Sequence, residues 1–273
     1  MRPYTWRTML LEVGLLAAGV VFFIPFFVLF SVAFRNPDAA PGPLDATWPP
    51  NFDNLVTAWT SSAMGPALAN SAIITVLSVV PMIVLSSAAA YPLARYTQAW
   101  SKGLFYFFVL GLLFAGQAAT IPLYILIRDL GLMGTIWAVV LIHVGGAMPF
   151  GVFLYTTFLR ELPRDYEEAA ALDGCGGVKA FARVVFPLMR PITGTLLILQ
   201  ALGCWNDFFI PLIYLSSGSN LTAPLAVYSY VGTYTADWPL VFSALLISIA
   251  PILLFYLFAQ KHIIKGFAAG LKG

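Results

Sequence analysis

Six runs of mostly apolar residues, each about 20 residues or longer, constrain this chain more than any other feature of its sequence. An α-helix of about 20 apolar residues crosses a hydrocarbon core about 30 Å thick. Only 10% of the 273 residues are charged and the mean hydropathy is +0.87, whereas soluble domains carry about 25% charged residues. The sequence therefore predicts an all-α polytopic membrane protein, a single domain over residues 1–273, with spans at about 11–34, 68–94, 103–127, 135–159, 190–215 and 239–260.

The basic residues are distributed unevenly between the two sides of these spans. If the N-terminus lies in the cytoplasm, every Lys and Arg except Arg35 and Arg128 falls in a cytoplasmic segment. Cytoplasmic loops of membrane proteins carry an excess of Lys and Arg. The sequence therefore predicts that both termini are cytoplasmic.

The connection between the fourth and fifth spans, about residues 161–190, is long and charged. Its first part, LPRDYEEAAALDG, is typical of a short helix, because a proline, three early acids and three alanines all favour a helix in these positions. Gly174 readily adopts the left-handed conformation that ends many helices, and a second helix is predicted at about Val178–Phe186. This combination predicts a docking surface for a partner, although a solvated loop with no partner would also explain the charge.

The segment EEAAALDGCGGVKAFARVVFPLMRP resembles the EAA loop of the permease subunits of bacterial binding-protein-dependent ABC importers. The matching residues are Glu168, Ala169, Ala170, Asp173, Gly174, Val184, Pro187, Leu188 and Pro191, and Cys175 stands where the family commonly has Ala. The segments FDNLVTAW, ALANSAIIT, AAAYPLARY, CWNDFFIPL and KHIIKGFAAGLKG are similar to the maltose-permease-like carbohydrate branch. The resemblance runs from about residue 50 to the last residue. Pro92 departs from the branch pattern and predicts a kink.

The resemblance implies a type I ABC importer permease fold in the bacterial cytoplasmic (inner) membrane. It implies that the subunit forms half of the transmembrane path for a sugar or sugar-like solute. The coupling loop, about residues 161–190, would dock on cytoplasmic ATPases through Glu168, Ala169, Ala170, Asp173 and Gly174. Expected partners are a homologous second permease, a pair of ATPases and an extracytoplasmic solute-binding protein, but no nucleic acid. The chain itself is expected to hold no cofactor, since the ATPases would bind ATP and Mg.

Polar residues within the predicted spans are the candidates for the solute path. Ionisable groups inside a membrane are costly and are therefore functional hypotheses by default. His143 in the fourth span and Asp207 in the fifth are the main candidates, with Trp205 and Asn206 beside Asp207. For each polar candidate, a contact between helices is the alternative interpretation. The pair Gly145 and Gly146 is interpreted as a site of close helix packing.

Catalytic and metal-binding motifs are missing from the sequence. It contains no phosphate-binding glycine loop, HExxH or GxSxG pattern, and Cys175 and Cys204 have no metal-ligand spacing. We therefore predict a transport subunit with no ATPase site and no metal. The alternatives are an ABC permease for a non-sugar solute and an ion-coupled carrier, for which His143 and Asp207 are the available charges. A polytopic membrane enzyme is disfavoured.

Overall fold

Helices are the regular elements of the computed structural model, which describes residues 6–36, 42, 49–113, 116–215, 220–231 and 237–270. In chain order, the first helices are α1 (Trp6–Ala33), α2 (Asp53–Ser61), α3 (Met64–Arg95), α4 (Ala99–Leu113), α5 (Thr120–Asp129) and α6 (Ile136–Glu161). They are followed by α7 (Asp165–Leu172), α8 (Gly177–Ala180), α9 (Phe186–Leu188), α10 (Arg190–Asn206), α11 (Phe209–Leu215), α12 (Ala223–Tyr228) and α13 (Trp238–Gly270). A 3-10 turn, Gly116–Ala119, precedes α5, and a π-helical segment, Phe181–Val185, joins α8 to α9. The all-α prediction is confirmed.

Four of these helices, α1, α3, α6 and α13, are individually long and apolar enough to cross a membrane. Two bent helix pairs also qualify, Ala99–Leu113 with Gly116–Asp129 and Gly177–Leu188 with Arg190–Asn206, which gives up to 6 spans in the part of the chain that the structure describes. The predicted spans at 103–127 and 190–215 are each divided between two helices rather than continuous. The second of these divides at Asp207, between α10 and α11. Helix α3 continues past Pro92 and ends at Arg95.

The described residues form two compact units. One lies within Met1–Gly65 and Ala226–Ala250, and the other within Pro66–Leu225 and Pro251–Gly273. The prediction of a single transmembrane domain stays a prediction.

In the first unit, the end of α1 is held by side-chain hydrogen bonds. The amide of Asn54, on α2, donates to the backbone oxygens of Ala33 at 3.0 Å and Arg35 at 2.8 Å. The hydroxyl of Ser243 also donates to Ala33 O, at 3.0 Å. These bonds satisfy carbonyls that a helix C-terminus leaves without partners. The sequence also predicts a short helix near Asn54 to Trp59 in the proline-rich connection at 35–67, and that helix is confirmed as α2. Pro37, Pro41 and Pro43 of this connection lie outside the described residues.

In the second unit, α6 contributes to two separate hydrophobic clusters. Its N-terminal residues Ala138, Val139 and Val140 pack with side chains of α3, α5 and α11. Its C-terminal residues Tyr155 and Leu159 pack with α3, the π-helical segment and α10. The stretch of α6 between these clusters lines a cavity.

The glycine of α6 that packs directly against α3 is Gly151. The interpretation of Gly145 and Gly146 as close-packing residues is wrong within this chain, because no described neighbouring atom lies within 4 Å of a Cβ at either position. Both glycines border the cavity instead.

Candidate functional site

Helix α7 ends in a glycine turn in the middle of the coupling loop. Gly174 has φ of +80°, its N–H donates to Ala171 O at 3.0 Å, and the N–H of Cys175 donates to Ala170 O at 2.9 Å. These two bonds form a Schellman motif. A residue with a Cβ adopts this left-handed backbone at a cost, so the predicted role of Gly174 in ending the helix is confirmed.

The second helical part of the coupling loop is longer than the predicted Val178–Phe186. Residues 177–188 form one continuous helical stretch through α8, the π-helical segment and α9. It meets α10 at a bend of 74°. The bend falls at Met189, between Pro187 in α9 and Pro191 in the first turn of α10.

The predicted coupling residues divide between the two faces of α7. Glu168 and Ala169 are exposed, as are Asp173 and Gly174 just after the helix, whereas Ala170 is buried. The block of alanines therefore serves two purposes. Ala170 allows α7 to pack closely on its own chain, while Ala169 leaves the outer surface of the helix open.

Two apolar side chains on the outside of the coupling loop were missed by the sequence analysis. Leu172 is 91% exposed and Val178 is 84% exposed. Exposed apolar side chains of this size are what a docking surface would use if a partner covered them. The sequence could have indicated them, because each is an apolar residue in a charged loop and they lie on either side of the glycine turn.

The inner face of α7 is held by Glu167, which was also missed. Its Oε1 accepts a hydrogen bond from Nε of Arg95 at 2.7 Å, and its Oε2 accepts one from the hydroxyl of Tyr91 at 3.1 Å. Nη1 of Arg95 also donates to the backbone oxygen of Leu159 at 2.7 Å. The side chains of Arg95 and Glu167 are only 10% and 16% exposed. This cluster ties together the C-terminal ends of α3 and α6 and the start of α7.

A cavity of about 1090 Å³ lies among α5, α6, α10 and α11. His143, Asn206 and Asp207 are among its lining residues, whereas Trp205 is buried and is not one of them. The other lining residues that offer amide groups or aromatic rings are Gln117, Gln200, Phe150, Phe209 and Tyr214. Amides and aromatic faces suit a polar, uncharged ligand such as a polyol.

Asp207 occupies the break between α10 and α11 and caps the second helix. Its Oδ1 accepts hydrogen bonds from the backbone N–H groups of Phe209 at 3.0 Å and Ile210 at 3.4 Å. This is the pattern of an N-cap carboxylate. The other oxygen, Oδ2, lies 3.3 Å from Nε2 of His143. That contact is within ion-pair range but lacks hydrogen-bond alignment, and neither atom has a hydrogen-bond partner among the described residues.

The arrangement does not resemble a metal centre. Among the residues that the structure describes, no group of three or more His, Cys, Asp and Glu side chains could hold a metal ion. The structure therefore offers two candidate sites: a mainly apolar cavity among the spans that carries a few polar side chains, and the separate exposed face of the coupling loop.

Membrane-spanning helices around a cavity that carries a few polar side chains, joined through a charged helix–turn–helix, are the architecture of a membrane transport subunit. Residues 68–268 match the family described as binding-protein-dependent transport system inner membrane component, and the chain belongs to that family. The resemblance inferred from the EAA segment is confirmed. The chain is accordingly a multi-pass inner membrane protein.

Named relatives cover nearly the whole chain. It is 31% identical over 272 residues to the melibiose/raffinose/stachyose import permease protein MelC of Bacillus subtilis (strain 168), covering 97% of both proteins. It is 32% identical over 278 residues to the multiple sugar-binding transport system permease protein MsmG of Streptococcus mutans, covering 98% of this chain and 96% of the relative.

The fold also matches a solved transporter structure. The crystal structure of a bacterial ABC transporter involved in the import of the acidic polysaccharide alginate contains a chain that aligns with a TM-score of 0.81. The alignment covers 96% of this chain and 99% of that one, at 19% identity. The predicted ABC importer permease fold is confirmed.

Proposed function

We propose that this permease subunit forms half of the transmembrane path of an ATP-driven importer for a sugar or sugar-like solute, and that its coupling loop docks on cytoplasmic ATPases. The observation that carries the docking proposal is the outer face of the loop. Leu172 and Val178 are exposed on the loop, as are Glu168 and Ala169. Apolar side chains would supply buried area in such an interface, and the acid would pair with a basic residue of the partner.

Both termini would lie in the cytoplasm. This orientation places the coupling loop on the same side as ATP and gives the cytoplasmic side all Lys and Arg residues except Arg35 and Arg128. ATP and Mg would be bound by the ATPase pair and not by this chain. A second, homologous permease would complete the path, and an extracytoplasmic binding protein would deliver the solute.

The cavity supports a sugar as the solute. Gln117, Gln200 and Asn206 offer amide donors and acceptors, and Phe209 and Tyr214 offer aromatic rings. The names of MelC and MsmG also refer to sugars. We propose Asn206, Asp207 and His143 as residues of the solute path. A role for Trp205 in the path stays a prediction, because Trp205 is buried and does not line the cavity.

An ion-coupled carrier is the second candidate, because one observation favours it. His143 and Asp207 place an imidazole 3.3 Å from a carboxylate in the cavity, and such intramembrane pairs serve in proton relays. An ABC permease for a non-sugar solute is the third candidate, distinguished by the solute alone.

The deciding experiment is to tag the chain, express it with its genomic neighbours, solubilise it gently and identify the copurifying proteins. Recovery of a second permease and two ATPase chains, with ATP hydrolysis by the complex, would support the importer. Uptake by vesicles of a panel containing melibiose, raffinose and maltose would then test the solute class. Uptake that persists without ATP and follows an ion gradient would support the carrier instead.

A further inference from the structure

Two adjacent acids of α7 point in opposite directions. Glu168 is exposed, whereas Glu167 is mostly buried against Arg95 and Tyr91. We propose that Glu167 is a positioning residue that makes α7 move together with the cytoplasmic ends of α3 and α6. The proposal rests on the proposed function, since only a docked α7 would be moved by an ATPase.

Arg95 is the centre of this cluster because its guanidinium contacts two different elements. Nε bonds the Glu167 carboxylate on α7, and Nη1 bonds the Leu159 carbonyl in the last turn of α6. Only arginine presents several donors in a fixed planar fork. Arg95 itself is the last residue of α3. One side chain therefore connects three helices.

Two further contacts make the connection rigid. Nη2 of Arg164, the residue before α7, donates to the backbone oxygen of Arg95 at 2.9 Å. The ring of Tyr91, whose hydroxyl bonds Glu167, lies 5.1 Å from the ring of Phe181 in the π-helical segment. The cluster consequently reaches both helical parts of the coupling loop. A displacement of α7 would therefore be transmitted through these contacts to α3 and α6.

The charges in this cluster also explain why the link would resist separation. Arg95 and Glu167 are each shielded from water over most of their surface. Removing one partner of a buried ion pair leaves the other charge uncompensated. Pulling α7 away from α3 would have the same effect, so α3 is expected to follow α7.

The test uses the complete complex in proteoliposomes and a cysteine that reports on the cavity. Cys175 and Cys204, the two cysteines of the sequence, are replaced by Ser, and Gln117, an exposed residue of the cavity lining, is replaced by Cys. The rate of labelling by a maleimide is measured with and without ATP plus vanadate. ATP hydrolysis and the amount of copurified ATPase are measured in parallel.

Glu167→Gln is compared with Glu161→Gln, which changes an exposed acid at the end of α6. Coupling between two sites typically changes an equilibrium by about 5–150-fold. In the parent and in Glu161→Gln we therefore expect ATP plus vanadate to change the labelling rate at least about fivefold. In Glu167→Gln we expect ATP plus vanadate to have no effect on the labelling rate, while the ATPase stays bound and active. If Glu167→Gln does not assemble with the ATPase, the labelling response of a second variant decides the test.

Tyr91→Phe provides a second variant if Glu167→Gln does not assemble. It removes one hydrogen bond to Glu167 and keeps the ring, so a reduced labelling response with normal assembly is expected. If ATP plus vanadate changes the labelling rate of Glu167→Gln as much as it does in the parent, the positioning role is overturned and the importer function stays intact. The same result for Tyr91→Phe has this meaning when Glu167→Gln does not assemble. A parent that binds no ATPase or shows no nucleotide response would overturn both.

Discussion

Gly151 on α6 lies so close to Ser86 on α3 that a Cβ built on the glycine would be 2.7 Å from the serine Oγ and 2.8 Å from its Cβ. The serine cannot easily move away, because its hydroxyl donates to the backbone oxygen of Met82 at 2.6 Å. A contact this short requires the two helices to separate. Glycine at 151 is therefore a requirement of the packing between α3 and α6.

We expect Gly151→Ala to lower stability, because overpacking a tight contact costs about 1–3 kcal/mol. Gly145→Ala, on the same helix, has no described neighbouring atom within 4 Å of the new Cβ and serves as the matched control. Thermal unfolding of the solubilised complex measures the difference. Equal melting temperatures for the two variants would contradict this packing.

Ala169→Trp is expected to uncouple the subunit from its ATPase, because the indole would occupy the open outer face of α7. We expect the amount of copurified ATPase to fall at least about tenfold, which corresponds to about 1.4 kcal/mol of interface free energy. Ala99→Trp, at an exposed alanine that begins α4, is the control. Normal ATPase recovery and solute uptake by Ala169→Trp would argue against docking at this face.

Gly174→Ala tests the turn that separates the two helical parts of the coupling loop. The left-handed backbone at φ +80° costs a residue with a Cβ about 1–2 kcal/mol, so we expect weaker coupling of ATP hydrolysis to transport. Gly176→Ala is the control, since Gly176 has φ of −68° and open space around its Cβ position. Gly174→Asn should be milder than Gly174→Ala, because asparagine tolerates this conformation better. Identical transport by all three variants would show that the turn is not needed.

Substitutions of Asp207 separate its capping role from its charge. Asp207→Asn keeps an acceptor for the N–H groups of Phe209 and Ile210, while Asp207→Ala removes it and should cost about 0.5–2 kcal/mol. If the carboxylate takes part in the solute path, both variants will shift the concentration dependence of uptake. Lower stability for Asp207→Ala, with unchanged uptake affinity in both, would assign Asp207 to helix capping alone.

Much of this architecture was predictable because apolar length and helix-end residues act locally. The outer helix at Asn54, the presence of α7 and its end before Gly174 all follow from short-range preferences in the sequence, although α7 begins at Asp165 and not at Pro163. The division of the fifth predicted span did not follow, since the run from 190 to 215 is apolar enough to suggest one helix. The break depends on Asp207 accepting hydrogen bonds from the chain that follows it.

Side-chain direction was the least predictable property of the candidate site. Glu167 and Glu168 are adjacent and chemically identical, and only the position of Arg95 in three dimensions determines which one faces inward. Trp205 and Asn206 are likewise adjacent, yet the tryptophan is buried and the asparagine lines the cavity. The sequence names such residues but does not give their rotation about the helix axis.

The interruption at Asp207 has a consequence for how the bilayer is crossed. The last carbonyls of α10 have no following helical turn to donate to them, and hydrocarbon offers no hydrogen bonds to replace it. Gly203, Cys204 and Asn206, in the last turn of α10, line a cavity wide enough for many water molecules. Water at this break between α10 and α11 would make the low-dielectric layer thinner here than in the surrounding bilayer. A hydrated solute would then cross a shorter stretch of low dielectric than the length of the helices suggests.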